Sequence, residues 1–272
     1  MSGTDATGQS GGMTPDVPTL DALLPGGGRM PLLGFGTWQI QGPQATTATT
    51  AALAAGYVHL DTATVYGNEA EVGLALAAVD RASVFLTTKL PPDRRGEEAS
   101  TLQESLAKLG TSYLDLWLIH WPEGEAAGVE LWQELVRARD QGTVRDIGVS
   151  NYSLGQLDEL HAATGVMPAV NQIEWSPLLF DRTVLEGHGE RGVVLEGYSA
   201  LRGGTLEHPV IVAIAGRLGR TPAQAIIRWH LQHGVVVIPK SVDPARIAAN
   251  ADVGGFELSA DDMRALDALG RP

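Results

Sequence analysis

No cysteine occurs anywhere in the 272 residues. Disulfide staples, thiolate nucleophiles and Cys-ligated metals are thereby excluded, which accords with a cytoplasmic protein. No apolar run approaches the roughly 20 residues that a membrane-spanning helix needs. The chain does not open on a basic stretch followed by an apolar one, so no signal peptide is expected. Positive charge is also scarce: 19 Lys and Arg stand against 32 Asp and Glu, a formal net charge of −13. Most of such a surface repels nucleic acid and anionic membranes, so neither is an expected partner. An anionic ligand would need a local basic cluster working against that field. Nor does any Gly-x-Gly-x-x-Gly follow a strand, so a Rossmann-type dinucleotide site is not expected.

What the chain does contain is a repeat. Apolar residues make up 44% of it, enough for one large core. Several short apolar runs stop abruptly on a polar or ionisable residue. Residues 57–60 end at Asp61, 84–88 at Lys89 and 114–119 at His120; 147–150 end at Asn151, 169–170 at Asn171-Gln172 and 235–239 at Lys240. Segments with helical spacing lie between them. This alternation predicts strands at 34–38, 58–62, 84–88, 113–119, 144–149, 169–174, 193–198 and 235–238. Helices are predicted at 43–55, 68–79, 97–109, 129–139, 154–163, 182–190, 208–218, 222–233, 244–250 and 260–269. Ser153, Thr221-Pro222 and Ser259 with Asp262 are the expected helix starts, and Gly110 an expected stop.

Eight strand–helix units predict a single-domain α/β chain, the (β/α)8 barrel, over 15–272. Two apolar segments flanking Pro25-Gly26-Gly27-Gly28-Arg29 predict an N-terminal β-hairpin closing the barrel bottom. Residues 1–14, rich in Gly, Ser and Thr, read as a disordered extension.

Barrel enzymes gather their reactive groups at the C-terminal ends of the strands. Asp61, Lys89 and His120 fall there, and Tyr66 follows five residues after Asp61. A phenol near an ammonium is the easier to ionise, which favours proton donation. Lys89 can supply the ammonium, Asp61 can hold it protonated and aimed, and His120 can orient a substrate oxygen. Taken singly, a strand-end Asp or Lys is more often a solvated charge or a cap and such a Tyr more often packing, while His120 reads equally well as a satisfied core histidine. Together they suit protonation of an oxygen that becomes negative, as in carbonyl reduction by an external hydride donor.

Residues 56–69 (GYVHLDTATVYGNE) closely resemble the first signature of the aldo-keto reductases. The stretch from Leu135 to Gly148-Val149-Ser150-Asn151-Tyr152 resembles the second, and 238–246 (IPKSVDPAR) the third. With Gly-Phe-Gly-Thr-Trp-Gln and His-Trp-Pro also present, the chain resembles bacterial members such as the 2,5-diketo-gluconate reductases. The resemblance implies a monomeric NADPH-dependent reductase of small carbonyl compounds, with Tyr66 as general acid assisted by Asp61, Lys89 and His120. For the NADPH/NADP+ cofactor it implies Ser150, Asn151 and Gln172 at the carboxamide and Tyr198 stacked on the nicotinamide. Ser199, Leu201, Gly203 and Gly204 would fold over the pyrophosphate. Lys240, Ser241, Val242 and Arg246 would grip the 2′-phosphate, with Asn250 at the adenine and Gly36, Thr37, Trp38 and Asp61 along the same cleft. Lys and Arg suit phosphate recognition, and a small basic cluster in an acidic chain accords with it.

Trp38, Tyr66, His120 and Trp121 are the expected substrate contacts, with Trp175 a further candidate for the aromatic wall. The short 121–128 segment predicts an open pocket that accepts several aldehydes and activated ketones, including α-dicarbonyls or keto sugars. Val58 stands where the family usually has Arg, Ala249 where an acid is common, and Trp175-Ser176 where an apolar-His pair is common. Two other readings compete. A metal-dependent hydrolase could use His59, Asp61 and His120, but too few further ligands follow at later tips, and no metal is expected. An NADPH-binding redox sensor would not need the intact tetrad.

Overall fold

The computed structural model describes residues 15–270 apart from Thr19 and Glu125. The expectation for 1–14 therefore lies outside the described residues. Two short antiparallel strands come first, β1 (Asp21–Leu23) and β2 (Arg29–Pro31). Eight parallel strands follow: β3 (Phe35–Gly36), β4 (His59–Asp61), β5 (Phe85–Leu90), β6 (Leu114–Ile119), β7 (Val144–Ser150), β8 (Val170–Glu174), β9 (Val194–Tyr198) and β10 (Val236–Val237). Neighbours in sequence are neighbours in the sheet throughout, as repeated βα units require. A parallel bridge between Leu33 and Val237 closes the ring, with Gly34 N donating to Val237 O at 2.9 Å and Gly36 N to Pro239 O at 3.2 Å. The fold is the (β/α)8 barrel of the sequence reading.

Closure explains why residue 36 is glycine. A Cβ there would sit 2.7 Å from the Ile238 carbonyl oxygen, closer than van der Waals contact permits. β5 and β6 are buried at every position, the mark of strands covered on both faces.

The helices are α1 (Pro43–Ala54), α2 (Glu69–Leu76), α3 (Glu98–Leu109), α4 (Val129–Asp140), α5 (Leu154–Thr164), α6 (Arg182–Glu190), α7 (Pro209–Arg217), α8 (Pro222–Gln232), α9 (Pro244–Ala251) and α10 (Ala260–Asp267). Their ends obey local chemistry. Ser153, Thr221 and Ser259 each form a capping box with the residue three positions on, as the sequence suggests. α3 stops where Gly110 turns left-handed at φ 66°.

The hairpin lies across the N-terminal ends of the strands. Leu24 and Met30 are buried, and Gly26 N donates to Asp146 Oδ1, near the start of β7, at 2.8 Å. Pro31 O lies 3.2 Å from His59 Nδ1 at the start of β4. With its lower end stoppered, the barrel has its larger cleft, about 800 Å³, at the opposite mouth.

Buried histidines make this interior sensitive to acid. Burial lowers His59 and His230 to about 4 each. Their unfolded values are near 6.5, so the unfolded chain binds more protons between those limits. Stability is then full at pH 7 and declines as pH falls from about 6.5 towards 4. Urea unfolding should show this decline, by on the order of 2–3 kcal/mol for each histidine. A His230→Gln variant should decline less steeply than the wild type, and parallel curves would show that this group does not contribute.

Candidate active site at the barrel mouth

β4 delivers Asp61 to the mouth and β5 delivers Lys89 beside it. Asp61 pairs in register with Thr87, so Lys89, two residues further along, points to the same face and reaches back across. Its Nζ donates to Asp61 Oδ1 at 2.6 Å, Asp61 Oδ2 at 2.8 Å and Thr62 O at 3.0 Å, and approaches the Tyr66 hydroxyl at 3.5 Å. Gln172 of β8 donates from Nε2 to Asp61 Oδ2 at 2.8 Å. Asp61 and Lys89 are both buried. Burial pulls the Lys89 ammonium down, but the adjoining Asp61 carboxylate outweighs it, and the group ends above its ordinary value.

Tyr66 belongs to a short 3-10 turn, Thr64–Tyr66, that follows β4. Buried Asn68 pins this turn to the β3–α1 loop. Its Nδ2 donates to Thr37 O at 2.9 Å and Ile40 O at 2.8 Å, and its Oδ1 accepts from Thr62 Oγ1 at 2.9 Å. Gln41 Nε2 adds a bond to Tyr66 O at 3.0 Å. The YGNE sequence thus locks the loop that presents the phenol.

The expected acidification of Tyr66 needs correction. Burial is the largest influence and pushes the phenol up; Lys89 pulls the other way without prevailing. A phenol shielded from water is harder to ionise, and the ammonium offsets only part of that penalty.

His120 directly follows β6, its ring edge-to-face with Tyr66 at 5.7 Å between centroids. Burial first, and Lys89 second, lower it to about 3, so the imidazole is neutral. Its Nδ1 is buried with no hydrogen-bond partner. An orphaned acceptor costs less than an orphaned donor, which favours the proton on Nε2.

A cleft of about 800 Å³ opens above these groups. Asp61, Tyr66, His120, Trp38 and Trp121 line it, as do Gly36, Ser150, Asn151, Gln172, Tyr198, Ser199, Leu201, Lys240, Ser241, Val242, Arg246 and Asn250. Lys89 lies beneath the floor, and Thr37 is buried behind the wall with its hydroxyl on Asp61 O at 3.0 Å. Gly203 and Gly204 are exposed on the loop after β9, outside the cleft lining.

Trp175 does not reach the mouth. It is 2% exposed and stacks on Trp229 of α8 and edge-on to Phe180. Glu174 lines the cleft, and successive side chains of an extended segment point to opposite faces.

Gln39, Val65, Glu174, Arg202 and Leu206, which are not among the residues expected from sequence, also line the cleft. Gln39 and Arg202 adjoin Trp38 and Leu201, so strand-end adjacency was the available signal. Among the described residues, Gln39, Asn151 and Ser199 are the non-glycine residues with left-handed backbone, at φ 60°, 67° and 56°, and all three face this cleft. Such strain concentrates where function needs it. At Asn151 it is held by side-chain bonds: Nδ2 donates to His120 O at 3.2 Å, and Oδ1 accepts from the Tyr198 hydroxyl at 2.8 Å.

Fold and cleft together define a barrel-mouth site that gathers Asp61, Tyr66, Lys89 and His120. The aldo/keto reductase family model matches residues 32–271, and the chain belongs to that family. It is therefore an oxidoreductase of the class that works with a nicotinamide cofactor on small carbonyl substrates. An aldo-keto reductase of Mycobacterium sp. (strain KMS) is 45% identical over 249 residues, 89% of this chain and 90% of that protein. Methylglyoxal reductase DkgA of Yersinia pestis is 42% identical over 263 residues, 94% of this chain and 93% of its own. A variant of Gox0644 solved in complex with NADPH is similar at TM-score 0.89 and 40% identity, covering 93% of this chain and 94% of that one.

The ion pair yields a stability test. Lys89→Met leaves Asp61 buried without its counter-charge and should destabilise the fold by about 3–5 kcal/mol in urea unfolding. Lys89→Met combined with Asp61→Leu removes both charges and should recover most of that loss. Additive destabilisation would show that the two groups do not act as a pair.

Proposed function

We propose that the protein reduces aldehydes and activated ketones, α-dicarbonyls among them, to alcohols with NADPH. The observation that carries the reading is the chain of contacts from Asp61 through Lys89 to the Tyr66 hydroxyl, ending at the cleft floor beside a neutral His120.

A dinucleotide fits the donor set. Ser150, Asn151 and Gln172 offer side-chain amides and a hydroxyl at one part of the cleft, where Tyr198 supplies an aromatic face. Lys240 and Arg246 give the same cleft two cations in a chain of net charge −13. Ser150, Asn151, Gln172 and Tyr198 would hold the nicotinamide end, and Ser199 and Leu201 the pyrophosphate. Lys240, Ser241, Val242 and Arg246 would hold the 2′-phosphate, with Asn250 at the adenine. The cofactor, when bound, supplies a hydride.

The protein's own part is to manage charge on the carbonyl oxygen. His120 donates a hydrogen bond to that oxygen and holds it near the Tyr66 hydroxyl. As negative charge builds there, Tyr66 gives up its proton. Lys89 stabilises the phenolate left behind, and Asp61 keeps Lys89 charged and aimed. Trp38 and Trp121, 43% and 50% exposed, form an open aromatic rim suited to substrates of varied shape.

Tyr66→Phe should lower kcat for NADPH-dependent reduction by about 10²–10⁴-fold while NADPH still binds, as followed by quenching of tryptophan fluorescence. Unchanged turnover would refute Tyr66 as the acid. Arg246→Ala should raise KM for NADPH by about tenfold or more and leave KM for NADH nearly constant. Equal effects on the two cofactors would refute the 2′-phosphate assignment.

A further inference from the structure

Beneath the catalytic pair lies an acid that the proposed reaction leaves unused. Glu196, in the middle of β9, is completely buried in the barrel interior. Neither of its carboxyl oxygens makes a well-formed hydrogen bond, although the Gln172 side chain is near enough to favour its charged form; the nearest basic atom, His59 Nε2, is 3.8 Å from Oε1. That imidazole is already engaged, Nδ1 lying 3.2 Å from Pro31 O and Nε2 3.3 Å from Thr87 Oγ1.

Titratable groups face Glu196 from several elements: His59 and Asp61 of β4, Lys89 of β5, and Tyr66 from the turn after β4. On the flanking strands its register neighbours are Gln172 of β8 and Val236 of β10, both uncharged. Gln172 is the residue that donates to Asp61.

The charge count decides the protonation state. Asp61 and Lys89 balance one another and share close hydrogen bonds. A second carboxylate in the same dry interior would be unpaired and would repel Asp61. No donor makes a well-formed hydrogen bond to either Glu196 oxygen, and the nearby Gln172 side chain and Lys89 offset only part of the cost of ionising it. Burial, and then Asp61, push the group up to about 8.

We infer that Glu196 is a positioning residue for carbonyl reduction: kept as a neutral acid below the Asp61–Lys89 pair, it leaves the full field of the ammonium to Tyr66. Its ionisation turns that support down. A new negative charge in this interior opposes the phenolate that forms when Tyr66 releases its proton, and it takes up part of the Lys89 field. The inference rests on the reductase reading above.

The test is the pH dependence of kcat for methylglyoxal reduction at saturating NADPH, from pH 6 to 9.5. Wild-type kcat should fall by about tenfold between pH 7 and 9, following one ionisation near pH 8. The neutral isostere E196Q cannot ionise, so its kcat at pH 9 should stay within about threefold of its own value at pH 7. Superimposable alkaline limbs in the two proteins would overturn the role of Glu196. Should E196Q fail to fold, infrared difference spectra of the wild type decide. A neutral carboxylic acid carbonyl band present at pH 7 and lost on raising the pH supports the inference, and its absence at pH 7 overturns it. A wild-type protein that reduces no carbonyl at any pH would instead sink the reductase reading itself.

Discussion

One charge pair sealed from water, Asp61 with Lys89, sets what its surroundings must do. An ammonium in a protein interior survives only if a counter-charge and hydrogen bonds replace its lost hydration. Here both Asp61 oxygens and the Thr62 carbonyl supply them. The pair then becomes a fixed source of positive field directly under a phenol. The same dryness that strengthens this field also resists phenol ionisation, and for Tyr66 the resistance is the larger effect. Such a site does not keep its tyrosine ionised in advance. In the proposed reaction it would stabilise the phenolate at the moment the proton leaves, which is what a general acid requires.

The barrel divides labour between its ends. At the bottom, Asp146 Oδ1 and the His59 ring tie the hairpin to the strand starts, while Asp146 Oδ2 makes no well-formed hydrogen bond. At the top, strand tips carry strained backbone and partly satisfied groups: left-handed Gln39, Asn151 and Ser199, and the orphan Nδ1 of His120. These features cost stability, and the rigid sheet below holds them in place. The Asn68 side chain shows how this is done, since it links the turn bearing Tyr66 to the loop bearing Trp38.

Much of this was legible in the sequence because barrel strands are short and their tips break apolar runs with ionisable residues. Asp61, Lys89 and His120 announce themselves in this way, and the capping residues fix the helix starts. Three things were not legible. Trp175 follows a strand tip as Trp121 does, but which face it takes depends on strand alternation and on Trp229, more than fifty residues away in sequence. The direction of the Tyr66 shift depends on how burial and one ammonium balance, and spacing does not encode that. Glu196 hides within the apolar run of 193–198, where a single acid reads as a strand residue of the exposed face. An acid flanked by Leu195 and Gly197 in an otherwise apolar parallel strand was the available signal, because such strands are buried on both sides.

Charge is arranged by depth. The surface is strongly negative, the interior of the site is balanced, and Arg202, Lys240 and Arg246 stand at the cleft itself. Arg202 leans on the Trp38 ring at 5.0 Å. Such an arrangement has a kinetic consequence and a chemical one. The negative exterior slows non-specific approach of anions, and the cleft cations restore attraction over the last Debye length, about 8–10 Å at physiological salt. Deeper in, neutrality matters more than attraction, because any unbalanced charge acts on Tyr66 through little intervening water. An acid at position 196 is tolerated there only because it holds its proton, and that condition ties the reacting group to a residue on the far side of the barrel.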